Sequence, residues 1–155
     1  MAKPAADGVR VIATNRKATH EFHIHERFEA GIALVGSEVK SLRDAKVTIA
    51  DGWVEIRNGQ AFVHGLRINE YAQANRWQHD VGRVRRLLLH KREIAKLSDR
   101  TQIQGYTVIP LGLYFKGPRV KVELALVTHK KLYDKRAAKR AADDQREIDR
   151  AMKRH

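Results

Sequence analysis

The stretch "YTVIPLGLYFKGPRVKVELALV", residues 106–127, decides the fold. Apolar side chains recur at every second position on both sides of Gly117-Pro118, which is the period of a pleated strand and not of a helix. In the first arm Ile109, Leu111, Leu113 and Phe115 form the inward set; in the second, Val120, Val122, Leu124 and Leu126 do. The Gly-Pro pair supplies the turn, so a long antiparallel hairpin is expected. Pro110 lacks a ladder donor and marks an edge or a bulge. The outward set holds Tyr106, Tyr114, Arg119 and Lys121. Such a face either holds an RNA backbone while its rings stack on bases, or packs its tyrosines under a flanking helix.

Outward from this hairpin the same logic recurs. "WVEIRNGQAFVH", residues 53–64, places Asn58-Gly59 between two alternating runs, the signature of a two-residue turn with positive φ. Upstream, Phe22, Ile24 and Phe28 alternate with Glu21, His23, His25 and Arg27, and "GIALVG" reads as a second short strand. Ser37 is placed to cap a short helix, "SEVKSLRDAK", with Val39 and Leu42 inward and Lys40 and Arg43 outward. "NRWQHDVGRVRR" is irregular and basic and leads into "LLLHKREIAKL", where Leu87, Ile94 and Leu97 fall at helical spacing. Residues 1–14 have no sustained period and read as a flexible N-terminal arm. About seven short strands with two helices and no βαβ alternation predict a mainly β fold with flanking α. The expected architecture is one small, closed or partly open antiparallel barrel over residues 15–129.

The charge narrows the partner. With 31 Lys and Arg against 18 Asp and Glu, the net charge is +13, and a surplus of that size favours a polyanion, most often nucleic acid. Basic clusters recur at Arg16/Lys17, Lys40/Arg43, Arg83/Arg85/Arg86, Lys91/Arg92 and Arg119/Lys121, which a large polyphosphate partner explains economically. No apolar run approaches the ~20 residues of a membrane span, and no signal-peptide core is seen at the N-terminus. There is no Cys, hence neither a disulfide framework nor a thiolate site, and a cytoplasmic protein is the simplest reading. His23 and His25 at i, i+2 suit two zinc ligands, but a third is not specified. Phosphate-binding glycine loops and hydrolase motifs are missing, so catalysis is disfavoured, the rival being a metal-dependent nuclease on RNA.

Residues 130–155 form a basic C-terminal tail with ten cations against five acids. Its apolar stripe is only Ala137, Ala141, Ile148 and Met152. That is too thin to dock on a core, and a helix formed against a partner is expected. Lys139/Asp143, Arg140/Asp144 and Asp149/Lys153 stand at i, i+4 and support such a helix.

The segments "NRKATHEFHIHERFEAGIALVGSEVKSLRDAK", "RRLLLHKREI", "GYTVIPLGLYFKGPRVKVELALV" and "KKLYDKR" together resemble the SmpB family of SsrA-binding proteins, from about Asn15 to Arg136. The resemblance implies an OB-type barrel that is not an enzyme and needs no cofactor. Members bind the tRNA-like domain of transfer-messenger RNA (SsrA RNA) and deliver it to stalled ribosomes in trans-translation; a structural ribosomal protein is the remaining rival. By position, Asn15, Arg16, Lys17, Glu29, Lys40, Leu88 and Lys121 match RNA-binding segments, and Arg43, Arg85, Arg86, Lys91, Tyr114 and Arg119 extend that basic and aromatic surface. The tail, helical on the ribosome, enters the mRNA channel past the decoding centre; Lys130, Lys131, Tyr133, Asp134, Lys135, Arg136, Ile148 and Met152 carry this role. Three departures from the family pattern stand out: His129 in place of a glycine, Tyr133 in place of a histidine, and a tail with no Trp.

Overall fold

The computed structural model describes residues 8–71 and 78–153. Its elements are β1 (Val9–Thr14), α1 (Ala18–Glu21), β2 (Phe22–Ile32), α2 (Gly36–Arg43), β3 (Val47–Thr48), β4 (Trp53–Arg57) and β5 (Gln60–His64). They continue with β6 (Arg67–Ile68), β7 (Arg85–Leu88), α3 (Lys91–Thr101), β8 (Tyr106–Lys116), β9 (Arg119–His129) and α4 (Leu132–Lys153). The opening stretch folds as the expected hairpin, β8 against β9, from Tyr106 opposite Thr128 to Lys116 opposite Arg119. Around it, β8, β4, β5, β7, β2 and β9 pair in that order, and β9 returns to β8. The sheet therefore closes into an antiparallel, OB-like barrel. Closure pairs strand edges that would otherwise template aggregation, and β1 covers the free edge of β8 beyond Gly112.

Asn58 (φ 51°) and Gly59 (φ 70°) make the predicted tight turn between β4 and β5. The barrel interior collects Phe28, Ala30, Val54, Val63, Leu87, Val108, Leu113 and the β9 set Val120, Val122, Leu124 and Leu126, with Leu42 of α2 and Leu97 of α3 joining it. The inward set expected for β8 is split, however. Leu111 is an extra residue between Pro110 and Gly112, a bulge that reverses which face each side chain takes. Leu113 and Phe115 face the interior, whereas Ile109 and Leu111 join Ala18, Ala125 and Val127 in a second, outer cluster flanked by Phe22 and Ile24. A matching bulge between Ile24 and Glu26 switches β2 in the same way. Two bulges, on the strands that flank β9, thus let one sheet bury both faces, the outer one beneath α1.

Other expectations are corrected. Residues 9–14 are a strand and not part of a loose arm; a bulge between Val11 and Ala13 interrupts the alternation that would have revealed it. "GIALVG" contributes no separate strand, because β2 runs unbroken to Ile32. Leu87 lies in β7 and not in a helix, since only residues from Lys91 onward follow the helical period. The N-cap of α2 is Val35, whose N–H donates to Glu38 Oε1 at 2.9 Å. Ser37 instead pairs its Oγ with His79 Nδ1 at 2.8 Å. Tyr106 is not an outward platform: it packs partly on the interior core and lies against the His25 ring, centroids 5.1 Å apart.

Candidate nucleic-acid interface

Beyond the bulges, the outward positions of β2, β9 and β8 are Arg27/Glu29, Lys121/Glu123 and Tyr114/Lys116. Strand register aligns them into rows. Leu88 of β7 stands opposite Gly31, Gly31 opposite Lys121, and Lys121 opposite Tyr114. In the adjacent row Glu29 faces Glu123. Four residues remote in sequence, Glu29, Leu88, Tyr114 and Lys121, are thereby brought onto one surface. Gly31 keeps the row tight, because a Cβ there would lie 3.2 Å from Leu88 Cβ.

Two carboxylates directly across a ladder repel, and each has turned to its own cation. Glu123 takes Arg27 at 2.9 Å. Glu29 accepts a short hydrogen bond from the Tyr114 hydroxyl and a 3.3 Å contact from Lys116 Nζ. The Tyr114 bond first, aided by Lys116 and Lys121 and opposed by burial, holds the Glu29 carboxyl below the usual carboxylate range. Burial first, and then the bond to Glu29, pushes the Tyr114 phenol above the usual tyrosine range. The surface so built offers acceptor oxygens, ammonium groups and an exposed leucine. Those are the groups needed to read a folded RNA by its phosphates, hydroxyls and base edges. Lys116, Arg27 and Glu123 escaped the sequence reading, although each shares strand parity with a residue that was chosen.

Asn15 is buried at the edge of this face. Its N–H bonds to Leu111 O at 2.7 Å and its Nδ2 to Pro110 O at 3.2 Å, so it fastens the end of β1 to the β8 bulge. Among the described residues its Oδ1 has no hydrogen-bond partner. Arg16 and Lys17 follow it, exposed, and Asn15 itself lines a groove of about 240 Å³ with Thr19, Arg27, Gly112, Tyr114 and Glu123. Lys40, Arg43, Arg86, Lys91 and Arg119 are all exposed, Lys40 lying 5.7 Å from the Tyr71 ring centroid.

Arg85 is a correction. It is fully buried, and its guanidinium donates to Glu38 Oε2 at 2.5 Å and to the carbonyls of Leu66, Arg83, Asp80 and Val81. No donor is left for phosphate. It shares strand parity with Leu87, and the face they share is the interior. Glu38, also fully buried, is held below the usual carboxylate range: burial works against its charge, and the bonds from Arg83, the Val35 N–H and Arg85 outweigh it.

The tail root is pinned. His129, the last residue of β9, pairs with Phe22 and its ring lies 4.4 Å from the Phe22 ring, so the position is strand and not hinge. Lys130 donates its N–H to Glu21 O at 2.9 Å and its Nζ to Thr19 O at 2.8 Å. After exposed Lys131, α4 runs through Tyr133, Asp134, Lys135 and Arg136 to Lys153. Ile148 and Met152 are exposed on it, and Asp143 meets Arg146 at 3.6 Å, one turn along, rather than Lys139. Among the described residues no three His, Cys, Asp or Glu side chains gather as metal ligands, and His25 Nε2 instead meets Thr128 Oγ1 at 2.9 Å. No described helix is long and apolar enough to cross a membrane.

Comparison with known proteins follows this geometry. The SsrA-binding protein of Geobacter sulfurreducens is 51% identical over 146 residues, covering 94% of this chain and 95% of that protein. That of Carboxydothermus hydrogenoformans is 47% identical over 144 residues, covering 93% and 97%. A chain from a solved structure described as "tmRNA-SmpB: a journey to the center of the bacterial ribosome" aligns with a TM-score of 0.68 at 38% identity, over 83% of this chain and 94% of that one. The family model for SmpB protein matches residues 12–154, and with a closed barrel, a basic tail and full-length relatives in agreement, the chain belongs to the SmpB family.

Proposed function

We propose that this protein is an RNA-binding adaptor of ribosome rescue. It binds the tRNA-like domain of transfer-messenger RNA and delivers it to stalled ribosomes in trans-translation. The observation that carries this is the row Leu88–Gly31–Lys121–Tyr114 with Glu29 beside it, on a chain of net charge +13 whose relatives are named SsrA-binding proteins. Lys121 and Lys116 meet phosphates, Glu29 accepts from a ribose hydroxyl or a base amine, and Leu88 packs on the sugar or base face. Binding and positioning are the whole of its chemistry, so it is an adaptor and not an enzyme, and it works where ribosomes do, in the cytoplasm. The tail helix enters the vacant mRNA channel past the decoding centre. A wall of ribosomal RNA phosphate admits a basic helix only where message is absent.

The test is a gel shift of the full-length protein with the tRNA-like domain. Lys121→Glu should weaken the complex with an unchanged thermal melt, and Glu29→Ala should weaken it in protein that remains folded at the assay temperature, the RNA staying intact in the presence of divalent metal. Cleaved RNA would mean a nuclease, and constant stoichiometry on all ribosomes, stalled or not, would mean a structural ribosomal protein.

A further inference from the structure

The outward face does not stop at Leu88. It continues around the barrel onto β7, β5 and β4, where Arg86 stands opposite Phe62, Phe62 opposite Glu55, and His64 opposite Trp53. Trp53 is 45% exposed. One face of its indole is stacked on the His64 ring, centroids 4.2 Å apart and planes within 10°, which leaves its other face and edge to supply that exposure. The Arg57 guanidinium lies 5.1 Å from the Phe62 ring centroid. Glu55, the carboxylate in these paired positions, is engaged by His64 Nε2 at 3.1 Å.

We propose that this face is a second RNA-binding surface, on which an unpaired base stacks on the open side of Trp53 and its flanking phosphates lie against Arg57 and Arg86. The proposal rests on the RNA-binding reading above and extends it to a separate set of contacts. Three observations select RNA over an apolar protein segment. A ring already backed by a second ring is a rigid platform for a base, since every base has a π-face. Arg57 and Arg86 border the rings, and an apolar partner would have to desolvate both cations without a counter-charge. The face also adjoins the first surface without a break, through Leu88 opposite Gly31, so one RNA can run from one to the other.

The test uses full-length protein carrying Trp77→Phe, which makes Trp53 the single indole, titrated with a short oligouridylate. Saturable quenching of Trp53 emission is expected. Trp53→Leu should weaken oligouridylate binding about tenfold by anisotropy, Trp53→Phe should recover most of it, and Arg57→Gln with Arg86→Gln should flatten its salt dependence. Absence of quenching in a protein that still shifts the tRNA-like domain overturns this proposal and leaves the functional reading intact. Quenching in a protein that fails to bind the tRNA-like domain supports this surface and overturns that reading. Equal affinity of Trp53→Leu and the parent, with unchanged melts, also overturns the proposal.

Discussion

At the scale of single residues, the chemistry of the candidate interface is concentrated in the bond between Tyr114 and Glu29. Burial and the neighbouring carboxylate both oppose ionisation of the phenol. An ultraviolet titration should therefore show Tyr114 still protonated where an ordinary tyrosine, with a pKa of ~10, is half ionised. The Tyr114→Phe variant should lose no amplitude there, and Glu29→Gln should move Tyr114 down and add amplitude. Unchanged curves for Glu29→Gln would mean the bond is not made in solution. The sign for Glu29 follows from its depressed pKa. Its contribution to stability is present above the unfolded carboxylate value of ~4.3 and is lost as pH falls through the lower folded value. Urea midpoints of parent and Glu29→Gln should therefore differ at neutral pH and converge in acid.

At the scale of elements, the interface depends on what fastens α2 and β7 beneath it. Glu38 of α2 and Arg85 of β7 are joined in the interior, and removing one member of a buried pair strands the other charge at a cost of about 3–5 kcal/mol. Arg85→Leu should lower stability by up to that amount in urea denaturation, Arg83 still partnering Glu38 at 2.6 Å, while protein kept folded retains its affinity for RNA. A stable Arg85→Leu protein that loses RNA binding would restore Arg85 to the interface. Gly65 gives a second, backbone-level case. Its φ is +72° and a Cβ would lie 2.4 Å from Asp51 O, so Gly65→Ala should cost more than the ~1 kcal/mol typical of such a change, read as a lowered thermal midpoint. The same elements show what was legible in the sequence. Alternation gave β4, β5 and β9 correctly because those strands are regular, and it misassigned Ile109 and Leu111 because a bulge shifts parity without changing composition. Arg85 was read as a surface cation because a charge run conceals that it shares parity with Leu87. Alternation alone placed Tyr114 and Lys121 on one outward face, whereas Glu29 and Leu88 were named only through family resemblance, since closure of the barrel is what makes them neighbours of that pair.

At the scale of the whole molecule, the barrel and tail divide the work. The tail is anchored through Lys130 to the end of α1, yet residues 139–153 of α4 are exposed throughout. With so little apolar surface its helix gains no packing from the barrel there and rests on its own propensity, which is marginal for a segment of this length in water. A partner must supply the rest. If the helix is the working form, Ala141→Pro should cost about 3 kcal/mol of helix stability, by removing a backbone donor and clashing with the preceding turn. Every charge is kept. Binding of the tRNA-like domain in a gel shift should be unchanged, because the barrel surface is untouched, while tagging of stalled peptides in cells lacking the endogenous protein should fail. A loose polycation would behave differently, since it tolerates proline but not charge reversal. Lys135→Glu with Arg136→Glu should impair tagging under either account, through repulsion from phosphate. The proline variant therefore discriminates: normal tagging by a stably folded Ala141→Pro protein would exclude an obligatory helix through that position and leave charge as what the tail contributes.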